Sequence, residues 1–152
     1  MKANELRKGN FIIYSPEPNL IKMVSGIKTE RDINKKEYER VYFIDINMND
    51  CRGKTINWIK PIPLTEEWLL KFGFGKYNDC FDYAIYINGD ICTFRIMICD
   101  NGWWFIIDKP VGDGMRIGIN LGTYKYIHQL QNLYFVLTGK ELEIKDNGTD
   151  KT

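Results

Sequence analysis

The segment Tyr126–Gly139, YIHQLQNLYFVLTG, constrains the fold of this chain more than any other stretch. Its apolar residues recur at steps of three and four, which is the spacing of one buried stripe on an α-helix. Gly139 predicts the end of the helix, because glycine readily takes the left-handed conformation of a helix stop. Thr123 is a candidate for the N-cap. The sequence therefore predicts a C-terminal helix that packs on a core.

The opposite side of this helix carries four side chains that share a face, because they are three, four or seven residues apart. They are His128, Gln131, Asn132 and Phe135. Two interpretations stay open. Either the helix is packed on both sides, with its polar groups hydrogen-bonded to neighbours, or these residues form a binding surface with Phe135 as the apolar anchor. His128 is the one histidine of the chain, and without a second ligand at metal-binding spacing it gives little support to metal binding or catalysis.

Composition limits the class of protein. The chain has 152 residues, of which 44% are hydrophobic, and a net charge of +1. These values predict one globular domain, or two small ones that share a core. The charge gives no global electrostatic reason to bind nucleic acid or an anionic membrane. The opening MKANELRKGN lacks the apolar segment of a signal peptide, and no apolar run approaches the roughly 20 residues that span a bilayer. We therefore expect a cytoplasmic protein with reduced thiols and no membrane partner.

No motif in the sequence indicates an enzyme. The cysteines have neither CxxC spacing nor a second histidine to complete a zinc site; they are Cys51, Cys80, Cys92 and Cys99. The run Gly112-Asp113-Gly114 resembles a phosphate-binding loop only superficially, because its spacing is not GxGxxG and a strand follows it. No serine stands in a GxSxG pattern. We therefore expect no catalytic residue, no metal and no cofactor.

The first 60 residues predict a small antiparallel sheet. Strand-forming runs fall at residues 11–14, 20–25, 41–46 and 55–59. The charged stretch 28–40, KTERDINKKEYER, alternates in sign and is predicted to be a solvated hairpin loop. A sheet this small usually closes on itself or packs on a helix. We therefore expect an SH3-like barrel over residues 1–60.

Residues 61–144 predict a short helix, an antiparallel meander and the C-terminal helix around one core. Thr65 is a good N-cap for the short helix, and Asn88-Gly89 is a strong hairpin signal in the meander. A later strand alternates polar residues with an apolar set that is expected to face the C-terminal helix; the set is Met115, Ile117, Ile119 and Leu121. Residues 145–152 are predicted to be a disordered tail. The fold class is therefore α+β.

Trp103 and Trp104 form the most conspicuous aromatic pair. Successive side chains of a strand point to opposite faces, so only one of the two needs to lie in the core. The other packs under the C-terminal helix or is an exposed anchor, since tryptophan is enriched at binding hot spots. We select Trp104 as the binding residue.

Nucleic acid is the alternative partner. Basic residues of the predicted barrel stand beside aromatic ones, an arrangement that can hold a phosphate backbone while bases stack. They are Arg7, Lys8, Lys35, Lys36 and Arg40. The acidic residues interspersed in the same stretch weaken this interpretation and favour a solvated face.

Three segments together resemble a known family: MKANELRKGNFI at the start, PIPLTEEWLLKFGF in the middle and YIHQLQNLYFVLTGKELEI at the end. In this order and spacing the chain resembles a family of small uncharacterised proteins encoded by gut bacteria and by their phages and prophages. The resemblance implies a cytoplasmic protein of a mobile element or its host, and it carries no functional residue. Small phage proteins of this kind often bind a host or phage protein, so it implies a protein-interaction module whose partner is unknown.

Overall fold

A computed structural model describes residues 1–45, 51–78, 80–87, 90–100, 102–113 and 115–145. Within these residues the fold is α+β, as predicted, with two antiparallel sheets of five strands each and a C-terminal helix. The chain divides into two compact units. Unit 1 comprises Met1–Pro63 with Tyr126–Asn132, and unit 2 comprises Leu64–Lys125 with Leu133–Thr152. The predicted boundary at residues 60 and 61 places the whole C-terminal helix in the second part, whereas the observed division runs through that helix.

Unit 1 holds the first sheet. Its strands are β1 (Phe11–Tyr14), β2 (Glu17–Arg31), β3 (Glu37–Asp45), β4 (Cys51–Thr55) and β5 (Ile59–Pro61). The order across the sheet is β4-β3-β2-β1-β5, so β5 returns to pair with β1. Pairing of β4 with β5 would close a barrel, and the strands that the structure describes show no such pairing. The observed element is thus an open sheet, and closure into an SH3-like barrel is not seen.

The core of unit 1 lies on one face of this sheet. Its buried residues are Leu6, Ile12, Tyr14, Val24, Val41, Phe43 and Ile59. The face also buries Lys22, which is 1% exposed and whose Nζ lies 2.7 Å from Oε2 of Glu17. A buried ammonium is tolerated when a carboxylate compensates its charge. This ion pair allows a lysine to occupy a core position in β2.

The charged stretch 28–40 is a pair of strands, so the prediction of a loop there is wrong. β2 continues to Arg31 and β3 starts at Glu37, and the two ends form an ion pair with Nη2 2.7 Å from Oε1. Cross-strand pairs of opposite charge stabilise an antiparallel ladder. The turn is closed by Asp32, whose Oδ1 accepts hydrogen bonds from two backbone N–H groups. Ile33 at this tip is 97% exposed.

A tyrosine and an arginine on β3 support the same hairpin. Oε1 of Glu30 accepts from the Tyr42 hydroxyl at 2.6 Å, and its other oxygen lies 3.3 Å from Nε of Arg40. These contacts lower the pKa of Glu30, with the Tyr42 hydrogen bond as the largest cause. The predicted strand at residues 55–59 also differs from the structure, because Ile56–Trp58 is a 3-10 helix between β4 and β5.

Unit 2 starts with helix α1 (Glu66–Lys71), followed by the second sheet. The strands are β6 (Gly75–Tyr77), β7 (Cys80–Ile87), β8 (Asp90–Cys99), β9 (Gly102–Gly112) and β10 (Met115–Tyr124). Their order is β10-β9-β8-β7-β6, so the predicted meander is confirmed and β10 and β6 are its edges. The predicted hairpin turn at Asn88-Gly89 lies outside the described residues.

Helix α1 begins and ends as its sequence predicts. The side chain of Thr65 accepts a hydrogen bond from the Trp68 N–H at 3.4 Å, which satisfies one of the donors that a helix start leaves open. Gly73 has a φ of +83° and follows the helix as its stop. Trp68 and Leu69 are buried, so packing holds this short helix.

The core of unit 2 is aromatic. Phe81, Ile96 and Phe105 face one another across β7, β8 and β9 and are fully buried. Phe94 lies next to them, with its ring edge-on to Phe105 at 5.6 Å between centroids. Edge-to-face packing adds stabilisation to the burial of such rings.

The C-terminal helix is α2 (Ile127–Thr138), and its predicted position is confirmed. Gly139 follows it with a φ of +71° and donates its N–H to the Phe135 carbonyl at 2.8 Å. The predicted N-cap at Thr123 is wrong, because this residue belongs to β10. The side chain of Gln129 instead accepts from the Tyr126 N–H at 3.1 Å, as the third residue of a capping box does.

Residues 146–152 of the predicted disordered tail lie outside the described residues. Lys145 is described, and its N–H donates to the carbonyl of Lys71 at 2.8 Å.

Candidate functional site

The five predicted binding residues have different environments. His128 and Gln131 are 0% and 1% exposed and belong to unit 1, whereas Trp104 and Phe135 are each 38% exposed and belong to unit 2. Asn132 is half-buried and belongs to unit 1. His128 and Gln131 therefore offer no surface to a partner, and the exposed members are the two aromatic residues.

Gln131 and Asn132 join α2 to the turn that leads into β1. Oε1 of Gln131 accepts from the N–H of Phe11 at 2.8 Å, and its Nε2 donates to the carbonyl of Gly9 at 3.0 Å. Oδ1 of Asn132 accepts from Nδ2 of the buried Asn10 at 2.9 Å. Buried backbone groups need such partners. These contacts support the packed, hydrogen-bonded interpretation for the two amides.

The surroundings of His128 offer its imidazole no hydrogen-bonding or proton-transfer partner within the described residues. Its ring stacks on Tyr126 with 5.8 Å between centroids, and neither ring nitrogen has a hydrogen-bond partner within the described part of the chain. Burial lowers the pKa of His128 because it disfavours the charged imidazolium, and the carboxylate of Glu5 opposes this effect. No acid or base of the described residues is therefore placed to work with this imidazole.

Phe135 lies in the half of α2 that belongs to unit 2. The adjacent Val136 is 79% exposed, so the helix presents two successive apolar side chains outside the core. On the buried side of the same turn, Tyr134 meets Tyr83 edge-on with 6.0 Å between ring centroids.

Trp103 and Trp104 point to opposite faces of β9, as alternation predicted. Trp103 packs edge-on to the core residue Phe81 and donates its Nε1–H to the Leu64 carbonyl at 2.9 Å. Trp104 is on the other face and donates its Nε1–H to Oδ1 of Asn120 at 2.6 Å. The same oxygen accepts from the backbone N–H of Gly122 at 2.8 Å. Trp104 is thus an exposed ring that is fixed in orientation by β10.

β10 itself is the site that sequence reasoning missed. It is an edge strand, and one of its faces carries Met115, Ile117 and Ile119, which are 63%, 54% and 50% exposed. The prediction that this apolar set packs against the C-terminal helix is wrong, because these side chains lie along the open margin of the sheet. Alternation shows which residues share a face, but it does not show whether anything covers that face. Gly118 between the two isoleucines was the available signal, since a strand-interior glycine often marks close approach of another backbone.

The other face of the same sheet carries an ion triad. Arg95 on β8 holds Asp82 through two hydrogen bonds of 2.9 and 3.1 Å, and its Nη1 lies 2.7 Å from Oδ2 of Asp108. The pKa of Arg95 is raised, with the Asp82 hydrogen bond as the largest cause. The triad links β7, β8 and β9, of which β9 is the neighbour of β10.

The described residues contain no group of three or more histidine, cysteine, aspartate or glutamate side chains that could hold a metal ion. None of the helices in the described ranges is both long and apolar enough to cross a membrane. Comparisons with protein-family models, with curated proteins and with solved structures find no match to this chain. The exposed margin formed by β10 and Trp104 is therefore the feature on which a functional proposal can be based.

Proposed function

We propose that this chain is a non-enzymatic protein-interaction module of a phage or mobile-element type that acts in the cytoplasm. The observation that carries the proposal is the apolar face of edge strand β10, with Met115, Ile117 and Ile119 each at least half exposed. Contiguous exposed apolar residues mark interaction sites in soluble domains. The mobile-element and cytoplasmic context rests on the sequence resemblance alone.

An edge strand suggests how the partner is held. Every second residue of such a strand turns its N–H and C=O groups outward, so an added strand gains main-chain hydrogen bonds, and its side chains supply specificity. Ile117 and Ile119 offer apolar contacts on one face of β10. Trp104, held by Asn120, offers an aromatic anchor on the other face. Phe135 on α2 is a second exposed aromatic residue of unit 2 and a separate candidate contact.

The test is affinity capture from the native host followed by mass spectrometry. The wild-type chain is compared with an Ile117→Lys, Ile119→Lys double variant, which places two charges on the apolar face of β10. Ile33→Lys is the matched control, because it makes the same change at an exposed isoleucine far along the chain from β10. A protein captured by the wild type and by the control, but not by the double variant, supports the proposal. Capture of the same proteins by all three chains contradicts it, and so does capture of no protein by a chain that stays single in solution.

A nucleic-acid-binding small barrel is the alternative, and it has less support. The long β2–β3 hairpin carries three of the five basic residues, Lys35, Lys36 and Arg40. Arg40 is paired with Glu30 at 3.3 Å, and the neighbouring Arg31 is paired with Glu37 at 2.7 Å. Cations already paired with carboxylates release few counterions on binding a phosphate backbone. Binding to DNA or RNA that weakens steeply with salt would revive this alternative, and no shift at low salt would remove it.

The SH3-like character of unit 1 is also a proposal. Its support is the return of β5 to the side of β1, with the 3-10 helix Ile56–Trp58 as the connection from β4. Such a return curls a small sheet toward closure. A solved structure in which β4 and β5 lie on opposite margins of a flat sheet would contradict it.

A further inference from the structure

We infer that the partner of β10 is β10 of a second copy of this chain, paired antiparallel across a twofold axis at Gly118. This inference rests on the proposed function and makes it specific, because it names both the partner and the register. A twofold interface must be self-complementary, because the same patch of both copies forms it: where residue i of one copy contacts residue j of the other, residue j of the first also contacts residue i of the second.

The register follows from the pattern of the strand. β10 pairs residue by residue with β9 from Arg116 to Asn120, and irregular positions bound this stretch at both ends. Its sequence is RIGIN, in which a polar residue stands at each end and an isoleucine stands on each side of the central glycine. In an antiparallel pair centred on Gly118, residues equidistant from the centre face each other. Each Ile117 therefore faces Ile119 of the second copy, and each Arg116 faces Asn120.

Charge offers little opposition to this pairing. Arg116 is the one charged residue between Met115 and Tyr124, and the proposed register places it opposite a neutral amide. Like charges directly opposite one another would destabilise a ladder, and edge strands that avoid association usually carry lysine, proline or inward-pointing charges. β10 has no lysine and no proline. The stretch from Arg116 to Asn120 also lies between the two irregular positions of the strand, so Arg116 is the one feature within it that opposes pairing.

The apolar face also continues across the proposed interface. Ile119 lies beside Ile107 of β9, which is 4% exposed, whereas Ile119 itself is half exposed. The second copy would place its Ile117 on the open side of Ile119, so the buried layer of the sheet extends into the dimer. Gly118 at the axis carries no side chain between the backbones. A Cβ there would lie 3.2 Å from Oδ1 of Asp108, so the same glycine also leaves room for the ion triad.

Light scattering coupled to size-exclusion chromatography tests the association. We expect the full chain to approach twice its mass of 17.9 kDa as its concentration rises. Ile119→Lys is expected to return the protein to the single-chain mass, while Ile33→Lys keeps the dimer. A single-chain mass at every concentration overturns the inference, and so does a dimer that Ile119→Lys leaves intact. Circular dichroism of each variant shows that the fold is retained.

Cross-linking tests the register separately. Ile117→Cys and Ile119→Cys proteins are oxidised alone and as an equimolar mixture, and the linked peptides are identified by mass spectrometry. The proposed register joins position 117 of one copy to position 119 of the other, so the mixture is expected to yield this link and each protein alone is not. Facing cysteines on paired strands come within disulfide reach. Links between two copies of position 117, or no link in a dimer, overturn the register.

The two proposals fail in different ways. A chain that stays single but captures another protein through β10 overturns the dimer and leaves the interaction module supported. A dimer that captures nothing else supports the inference, and it identifies the second copy as the partner.

Discussion

Gln131 accepts a 2.8 Å hydrogen bond from the backbone N–H of Phe11, a residue 120 positions earlier in the chain. The same side chain donates to the carbonyl of Gly9 at 3.0 Å. One amide thus satisfies a donor and an acceptor at the start of β1, and it does so at 1% exposure. The polar face of α2 is therefore part of the interior of unit 1.

Replacing Gln131 with alanine is expected to lower the free energy of unfolding by about 2 kcal/mol, because the buried Phe11 N–H and the partly buried Gly9 carbonyl lose this partner. Asn132→Ala is expected to cost less, about 1 kcal/mol, since water reaches its half-buried position. Val136→Ala on the same helix is the control and should leave stability nearly unchanged, as its side chain is 79% exposed. Urea unfolding measures all three. Equal losses for Gln131→Ala and Val136→Ala would contradict the role assigned to the amide.

The stability of the protein is expected to fall as pH decreases below about 6.5, the ordinary pKa of histidine. Burial lowers the pKa of His128 in the folded chain, so the unfolded chain binds more protons in this range. Stability therefore rises with pH through the window between the two pKa values and is fully present above the unfolded value. One such group contributes a slope of at most about 1.4 kcal/mol per pH unit.

His128→Phe separates this contribution from that of other titrating groups. Phenylalanine keeps an aromatic ring beside Tyr126 and removes the titration. Urea unfolding at several pH values from 5 to 8 should show a smaller loss of stability at acid pH in the variant than in the wild type. Identical pH profiles would show that His128 does not carry the effect.

Arg95→Met is expected to destabilise unit 2 by about 2 kcal/mol, because it leaves Asp82 and Asp108 without the cation that they share. Arg95→Lys keeps the charge but cannot reproduce the two-pronged contact with Asp82, so its loss should be intermediate. Thermal unfolding of the two variants, followed by circular dichroism, checks the order. A methionine variant as stable as the lysine variant would show that the triad contributes little.

Gly139→Ala is expected to cost about 1 kcal/mol, since alanine is strained at the observed φ of +71°. No heavy atom lies within 4 Å of the position of its Cβ, so the cost is conformational and not steric. Gly26→Ala is the matched control, because its Cβ position is also open and its φ is not positive. The control should leave the midpoint of urea unfolding unchanged or raise it slightly. Similar losses in both variants would contradict this explanation.

Local signals in the sequence predicted the helices well. The three- and four-residue steps and Gly139 located α2, and Thr65 located the start of α1, because helix geometry and caps depend on neighbours in the chain. The antiparallel meander of unit 2 followed from two-residue alternation in the same way. The extent of the strands in the β2–β3 hairpin was missed, because the alternating charges of residues 28–40 hide the strand period and were interpreted as a loop. These two strands are stabilised by cross-strand ion pairs such as that of Arg31 with Glu37.

The candidate site was much harder to predict. The burial of Gln131 depends on a contact between residues far apart in the chain, and the exposure of Ile117 and Ile119 depends on what covers an edge. Neither is a local property. Alternation placed Trp103 and Trp104 on opposite faces of the strand, but it did not decide whether Trp104 is exposed or covered by the helix. The fixed orientation of Trp104, through Asn120 on the next strand, required the strand register.

The division of α2 between the units has a consequence for biosynthesis. Unit 1 includes Tyr126–Asn132, and a ribosome makes these residues only after the whole of the second sheet. The strands of the first sheet, β1 to β5, are therefore made before the helix that packs on them. Until α2 emerges, the Phe11 N–H and the Gly9 carbonyl are open to water. Domains ordinarily fold as units from the N-terminus during translation. Here synthesis of unit 1 begins first and is completed last. Premature release of the chain before residue 132 would leave unit 1 without the amide side chains of α2 that bond to the start of β1.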